Sequence, residues 1–245
     1  MTSSELRQKP LYLLKRNPMI NQEQFGKHWF EVHAEVLKSI PEWPRLRSGY
    51  VQNHLIGSGL LGQLPFPYDG VAQVYVRPGT EGGPSFPEMP VFRERVIPDE
   101  EAFLDRGRVV VLKTLEHVIL PGAGAVKVFI FHRRRAGLSQ QDFSNRWRTA
   151  HRDIVLAQED FAKGLRGYRQ DHTIPGATRY LAGGVVPADE EFDGASEFWF
   201  DSSEAAKAAF NTSGYTRRIR DDASNVFDLS REIACLVDPR VILPE

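Results

Sequence analysis

Apolar positions along the chain change spacing in a fixed order, and the order runs through twice. Leu11–Leu14 and residues 126–131 are short aliphatic and aromatic runs, as a buried strand requires. Behind each, Phe25, Trp29 and His33, or Phe143, Trp147 and His151, recur every four residues and form one stripe of a helix. Asn21 and Ser139 stand where a side-chain oxygen caps the first helical turn. Pro41 and Pro44 end the first helix, because proline has no amide to donate. Period-two strands follow at 49–56 and 167–174, placing Tyr50, Gln52 and His54, and again Tyr168, Gln170 and His172, on one face. The turns Asp69-Gly70 and Asp193-Gly194 introduce third strands over 71–76 and 195–200. Second helices are expected over 98–106 and 202–231, the latter broken near Gly214. Final strands are expected over 109–115 and 232–237.

The two passes are copies. Sliding residues 11–56 onto 129–174 without a gap matches ten positions of forty-six, Arg16/Arg134 and Gln22/Gln140 among them, where average residue usage gives roughly three. A period of half the chain is too long for a solenoid unit. The chain therefore divides into residues 1–121 and 122–245, joined by the linker 121–125, with the order strand, helix, strand, strand, helix, strand in each. One place differs: the first copy carries a Pro/Gly-rich loop over 78–87 where the second has a helical stretch over 204–210. That loop is either a surface insertion or a lid, and it is expected to leave one repeat with the better enclosed pocket.

Composition narrows the function classes. With 245 residues, 41% hydrophobic and 26% charged, this is ordinary globular material. A net charge of −1 argues against nucleic acid, which calls for a basic stripe. Cys235 is the single cysteine, so no intrachain disulfide forms, which fits a reducing compartment. Residues 1–9 lack the apolar core of a signal peptide, and no apolar run approaches the roughly 20 residues of a membrane span. The expectation is a soluble cytoplasmic protein with a small-molecule substrate, no membrane partner and no nucleic acid.

A βαββαβ unit is ferredoxin-like: an antiparallel sheet with both helices on one face. Its other face needs cover. Two copies in one chain supply it by packing sheet to sheet, so an α+β architecture with an enclosed cavity between the sheets is expected. Arg16, the helix Phe25-x3-Trp29-x3-His33 and the strand Tyr50-Val-Gln-Asn-His54, with their second-copy counterparts, resemble the EthD-domain family of the dimeric α/β-barrel superfamily. The resemblance spans nearly all of both halves. It implies an intramolecular pseudo-dimeric barrel, which a further homodimer would also accommodate. It also implies kinship with cofactor-free isomerases, decarboxylases, dehydratases and cyclases acting on lactones or polyketide-like aromatics. Fold alone does not choose among them.

Four of the seven histidines occupy repeated positions. Histidine titrates near neutrality, so His54 and His172, sharing a strand face with tyrosine and glutamine, are candidates for proton transfer. His33 and His151 end the helix stripe and either join that chemistry or tether helix to sheet. Tyr50 and Tyr168 can donate to a developing enolate oxygen. Substrate contacts are assigned to Tyr12, Arg16, Gln52, Gln73, His132, Arg134, Gln170 and Glu197. Either arginine can grip a carboxylate. Glu197, in an aromatic strand, is either a general acid or an ion-paired residue. No metal is expected: His28 and His33 are five apart, about 140° on a regular helix, and no zinc pattern exists. Gly57-Ser58-Gly59 is a loop without the helix that a phosphate site needs. The leading expectation is a cofactor-independent lyase or isomerase working by histidine acid–base catalysis. A binding or stress-related protein and a haem-dependent oxidase are the competing readings.

Overall fold

The computed structural model describes residues 6–58, 65–80 and 85–244; Gly59 and residues 81–84 of the expected lid lie outside them. The chain is α+β, with a large antiparallel sheet and several helices. The first repeat contributes β1 (Arg7–Gln8), β2 (Leu11–Leu14), helix α1 (22–38), β3 (Arg47–Ser58), β4 (Gly70–Val76), helix α2 (92–103), β5 (Val110–Leu112) and β6 (Thr114–Leu120). The second contributes β7 (Val126–His132), helix α3 (140–157), β8 (Gly167–Thr173), a short β9 (Arg179–Tyr180) and β10 (Gly194–Phe200). It closes with helices α4 (Ser203–Phe210) and α5 (214–223) and the long strand β11 (Ile233–Leu243).

Caps and turns follow the sequence. Asn21 accepts from the Gln24 amide at 2.9 Å while Gln24 returns a bond to the Asn21 amide, a capping box. Ser139 caps α3 through the Asp142 amide at 3.1 Å. Helix α2 begins six residues before the expected 98, because a widened turn over Phe92–Val96 precedes Pro98 and accommodates its missing amide. The expected helix 202–231 does break before Gly214, but it ends at 223.

The halves are joined edge to edge rather than only stacked. Strand β6 leaves the first repeat to pair with β8 of the second. Residues Ile233–Val237 of β11 pair with β7 of their own repeat, while Cys235–Leu243 pair with β3 of the first. That crossing explains why β11 runs past the expected end at 237. Among the described residues the strands follow the order β1-β6-β8-β10-β7-β11-β3-β4-β2-β5-β9.

The expected cavity between the sheets is a packed core. Leu11, Leu13, Val71 and Leu112 of the first repeat meet Phe129, Phe131, Cys235 and Val237 of the second, all buried. Beside them lies a dry ionic cluster. Lys9 Nζ lies 2.7 Å from Glu116, 2.8 Å from Asp171 and 2.5 Å from Glu197. Lys127 Nζ lies 3.1 Å from Glu197, bonds to Gln73 and sits 4.1 Å above the Trp199 ring. Gln73 donates to Glu197 at 2.6 Å. Gln73 and Glu197 are therefore held by lysines inside this core and face no ligand space. For Glu197 the ion-paired alternative is what the structure contains, because a carboxylate in a dry core needs a cation beside it.

Candidate functional site

An apolar cavity in the first repeat lies on the other face of the sheet, between β2, β3 and β4 and the helices α1 and α2. Its volume is about 60 Å³. Ladder register decides which residues reach it. Tyr50 pairs across with Val74, and Gln52 with Ala72, so this face of the sheet turns toward the helices. In the second repeat Tyr168 pairs with Phe198 and Gln170 with Ser196. Tyr12 likewise gives way to Ile130 at the matching ladder position. Phe198 stacks on Tyr168 with ring centroids 4.6 Å apart, filling the volume that Val74 leaves open. Phe86 and Pro87 of the Pro/Gly-rich loop, with Leu181 from the second repeat, roof the first-repeat cavity. The two repeats are thus unequal, and both that loop and the strand residues make them so.

Helix α1 delivers His33 to the cavity wall. Over His28–His33 its hydrogen bonds widen to i→i+5, and the same happens over Trp147–His151 in α3. A repeat of four, longer than 3.6, stays on one face in such a turn, which is how Phe25, Trp29 and His33 all reach the sheet. The widening also overturns the expected divergence of His28 and His33. Both rings converge on Asp99 of α2: His33 Nδ1 lies 2.6 Å from Oδ2 and His28 Nε2 lies 2.8 Å from Oδ1. Burial alone would raise the Asp99 carboxyl, but the hydrogen bonds from His33 and His28 outweigh it and hold the group below its ordinary range. His33 lines the cavity, and with Nδ1 engaged, Nε2 is the nitrogen left for a ligand. The second repeat has the same pair, His151 Nδ1 at 2.8 Å from Asp222, with Arg146 in the place of His28. Among the described residues no group of three or more ligating side chains suits a metal.

Two phenols face the same space. Trp29 Nε1 donates to the Tyr50 hydroxyl at 2.8 Å, which leaves the Tyr50 proton directed at other acceptors. Burial raises the pKa of Tyr50 and of Tyr12, so both are neutral donors. Glu100, buried beside Asp99, is raised by burial, and its charge is met by Arg106 at 2.8 Å. Arg47, Trp43 and Phe92 complete the wall. Asp99, Glu100 and Arg47 were not foreseen. Asp99 and Asp222 are also repeated, but 123 residues apart instead of 118, because the loops before them differ in length.

His54 and His172 do not line the cavity. His54 lies against Trp29 (centroids 4.6 Å) and His172 against Trp147 (4.2 Å), wedged between strand and helix. Their ring nitrogens reach Gln52 at 3.1 Å and, for His172, Gln170 at 3.2 Å and Ser144 at 2.7 Å. Gln52 and Gln170 in turn donate to the backbone oxygens of Trp29 and Trp147. Burial, then the charge of Arg240, pushes the His54 pKa down to about 4. Burial, then nearby His117, pushes His172 down to about 2. Neither ring is poised near pH 7, and both are buried neutral. Unfolding returns them to about 6.5, so their contribution to stability is whole above that pH and is lost as pH falls from about 6.5 toward 4 for His54 and toward about 2 for His172. For His54 the loss across that window should be on the order of 3 kcal/mol. Urea melts between pH 7 and 4 test this, and an unchanged slope in His54→Gln would refute it.

The remaining candidates are structural. His132 is fixed by Glu232 at 2.8 Å and Ser196 at 2.9 Å and stacks on Phe227. Tyr168 accepts from Gln170 at 2.7 Å inside the filled second repeat. Arg16 and Arg134 bracket the Asp-Gly turns: Arg16 reaches Asp69 at 3.1 Å, and Arg134 pairs with Asp193. Arg134 does line a separate polar cleft of about 250 Å³. Its guanidinium is nonetheless engaged by Asp193 and Gln140, which accounts for its recurrence as a turn clamp.

A sequence profile described as the EthD domain matches residues 17–107 and 135–230, one match in each repeat. No curated protein matches the chain. Among solved structures, the chain is similar to an anthrone oxidase-like protein at 14% identity and a TM-score of 0.56, over 99% of this chain and 96% of that one. It is similar to a proposed monooxygenase from Fusobacterium nucleatum subsp. nucleatum at 6% identity and a TM-score of 0.57, over 97% and 94%. A proposed monooxygenase from Lactobacillus acidophilus matches at 12% identity and a TM-score of 0.52, over 97% and 96%. At such identities the likeness concerns the fold.

Proposed function

The chain belongs to the EthD-domain family, and from that premise we propose that the first-repeat cavity is the active site of a cofactor-independent lyase or isomerase acting on a small aromatic carbonyl compound. The two repeats form one pseudo-dimeric barrel in this reading. Support comes from the ladder, where residues 7–14 pair with β4 on one side and with β5 and β6 on the other, so the strands return to their starting point. The second repeat serves as scaffold and roof.

One observation carries the assignment of chemistry: the His33–Asp99 pair faces open space, whereas the equivalent His151–Asp222 pair belongs to a repeat whose matching space is filled. Asp99 fixes the His33 tautomer with the proton on Nδ1 and stabilises the imidazolium once it forms. Nε2 then removes a proton from the carbon beside the substrate carbonyl. The Tyr50 hydroxyl, with a lone pair held by Trp29, donates to the oxygen on which charge develops. His33 returns the proton to a second carbon in an isomerisation, or to a departing group in an elimination. The aromatic wall of Trp43, Phe86 and Phe92 holds a flat ring and excludes water, which strengthens both polar contacts. A cavity of about 60 Å³ does not fit a haem. Roughly 150 Å³ holds a benzene ring, so the roof of Phe86, Pro87 and Leu181 has to shift on binding.

Proton exchange tests this without knowledge of the natural substrate. The protein should accelerate deuterium incorporation beside the carbonyl of aryl ketones such as acetophenone in D2O, followed by proton NMR, beyond an equal concentration of imidazole. Rates equal to imidazole across a panel of aryl ketones and enol lactones would leave a binding protein in its place.

A further inference from the structure

We infer that the substrate is an aromatic acid, its carboxylate held by Arg47 at the cavity wall; this rests on the first-repeat cavity being the ligand site. Arg47 is an anomaly for so apolar a place. It lines the cavity beside Tyr12, Trp43 and Tyr50, and its Nε is buried without a hydrogen-bond partner. Its remaining contacts are a bond from Nη1 to the Leu46 carbonyl at 3.1 Å and the face of Trp43 at 5.6 Å. Among the described residues no carboxylate pairs with it. Glu100, the one acidic side chain in the wall, is already matched by Arg106. Arg16, Arg134 and Arg220 each have an acid, namely Asp69, Asp193 and Glu232, and Arg133 spends its two terminal nitrogens on the backbone carbonyls of Arg231 and Glu190.

The second repeat shows what this position looks like when no ligand is required. Its counterpart at the 118-residue spacing is Leu165, buried in the helix–sheet core. A leucine suffices to pack the site, so the guanidinium is not there to complete the fold. A half-buried cation without a carboxylate partner is costly to maintain, and an incoming anion relieves that cost. The fork of the guanidinium suits the two oxygens of a carboxylate, with the neutral Tyr12 hydroxyl adjacent as a further donor. Arg179 adds to the same selection. It stands exposed on β9, a strand of the second repeat paired with Val111 of the first, two residues before roof residue Leu181. The rings of Trp43, Phe86 and Phe92 take the aryl group, and Arg47 orients it so that the reacting carbon meets His33. Arg47 is thus a specificity residue.

Benzoate and benzyl alcohol, alike in ring and differing in charge, separate the possibilities by calorimetry and by quenching of Trp43. The wild-type protein should bind benzoate about tenfold or more tightly than benzyl alcohol. Arg47→Leu copies the second repeat and should fold; it should abolish the preference while keeping the affinity for benzyl alcohol. Arg47→Lys should retain part of the preference, since a point charge remains without the fork. Equal affinities in the wild type, or a preference that survives in Arg47→Leu, would overturn the inference and leave the cavity as a site for neutral aromatics. Binding of neither probe would overturn the cavity reading and this inference together.

Discussion

Replacing Lys9 with Met should destabilise the protein by about 3–5 kcal/mol, the range for removing one partner from a buried charge cluster. Lys9 is fully buried and is the hub on which Glu116, Asp171 and Glu197 converge. Glu197 would keep Lys127, and Glu116 would keep Arg7 and Arg169. Asp171 would lose its ion pair with Lys9, and its carboxyl, already raised well above the ordinary range by burial despite the pull of Lys9, would rise further. A group whose folded pKa is raised stabilises below its unfolded value and loses that contribution as pH climbs through the folded one. The gap between wild type and Lys9→Met should therefore widen from pH 5 to pH 8, and Lys9→Met/Asp171→Asn should recover part of it. Urea denaturation at several pH values measures this. A loss under about 1 kcal/mol at pH 7 would mean that the cluster is solvated or exchanges partners freely.

The second large effect is on chemistry. His33→Ala should slow catalysed proton exchange by about 100-fold or more, the usual share of a positioned acid–base group. Asp99→Asn should also lower the rate, because an amide can donate to Nδ1 and favour the tautomer with its proton on Nε2, where the base must act. His151→Ala removes the same helix-to-helix contact in the filled repeat, so it should lower the melting temperature while leaving the exchange rate intact. His54→Ala should behave similarly, as loss of a packing wedge against Trp29. Measuring rate and melting temperature on all four variants separates the roles. If His54→Ala abolishes exchange and His33→Ala does not, the site lies on the wrong histidine.

That contrast shows where inference from the chain stops. A period of two states that Tyr50, Gln52 and His54 share a face; it does not state which layer that face meets. Expecting it to line the space between the sheets placed His54 and His172 at the chemistry, whereas the pleat turns them toward helices α1 and α3. The ungapped match between the repeats ends at Ile56 and Ile174, short of Asp99 and Asp222. With unequal loops between, those aspartates fall out of step in sequence although they are equivalent in space.

What the amino-acid sequence determined by itself is local or periodic: the duplication, the caps at Asn21 and Ser139, the Asp-Gly turns and the alternation of every long strand. Each depends on neighbours a few residues apart, where propensity and hydrogen bonding act without the rest of the chain. Tertiary structure alone decided which repeat is open, through Val74 against Phe198 and Tyr12 against Ile130. It decided too that Lys9 meets carboxylates more than 100 residues away, that His33 finds Asp99, and that Arg47 has no acid among the described residues. Those outcomes depend on volumes and charges brought together across both repeats, and no local pattern in the chain encodes how such volumes sum.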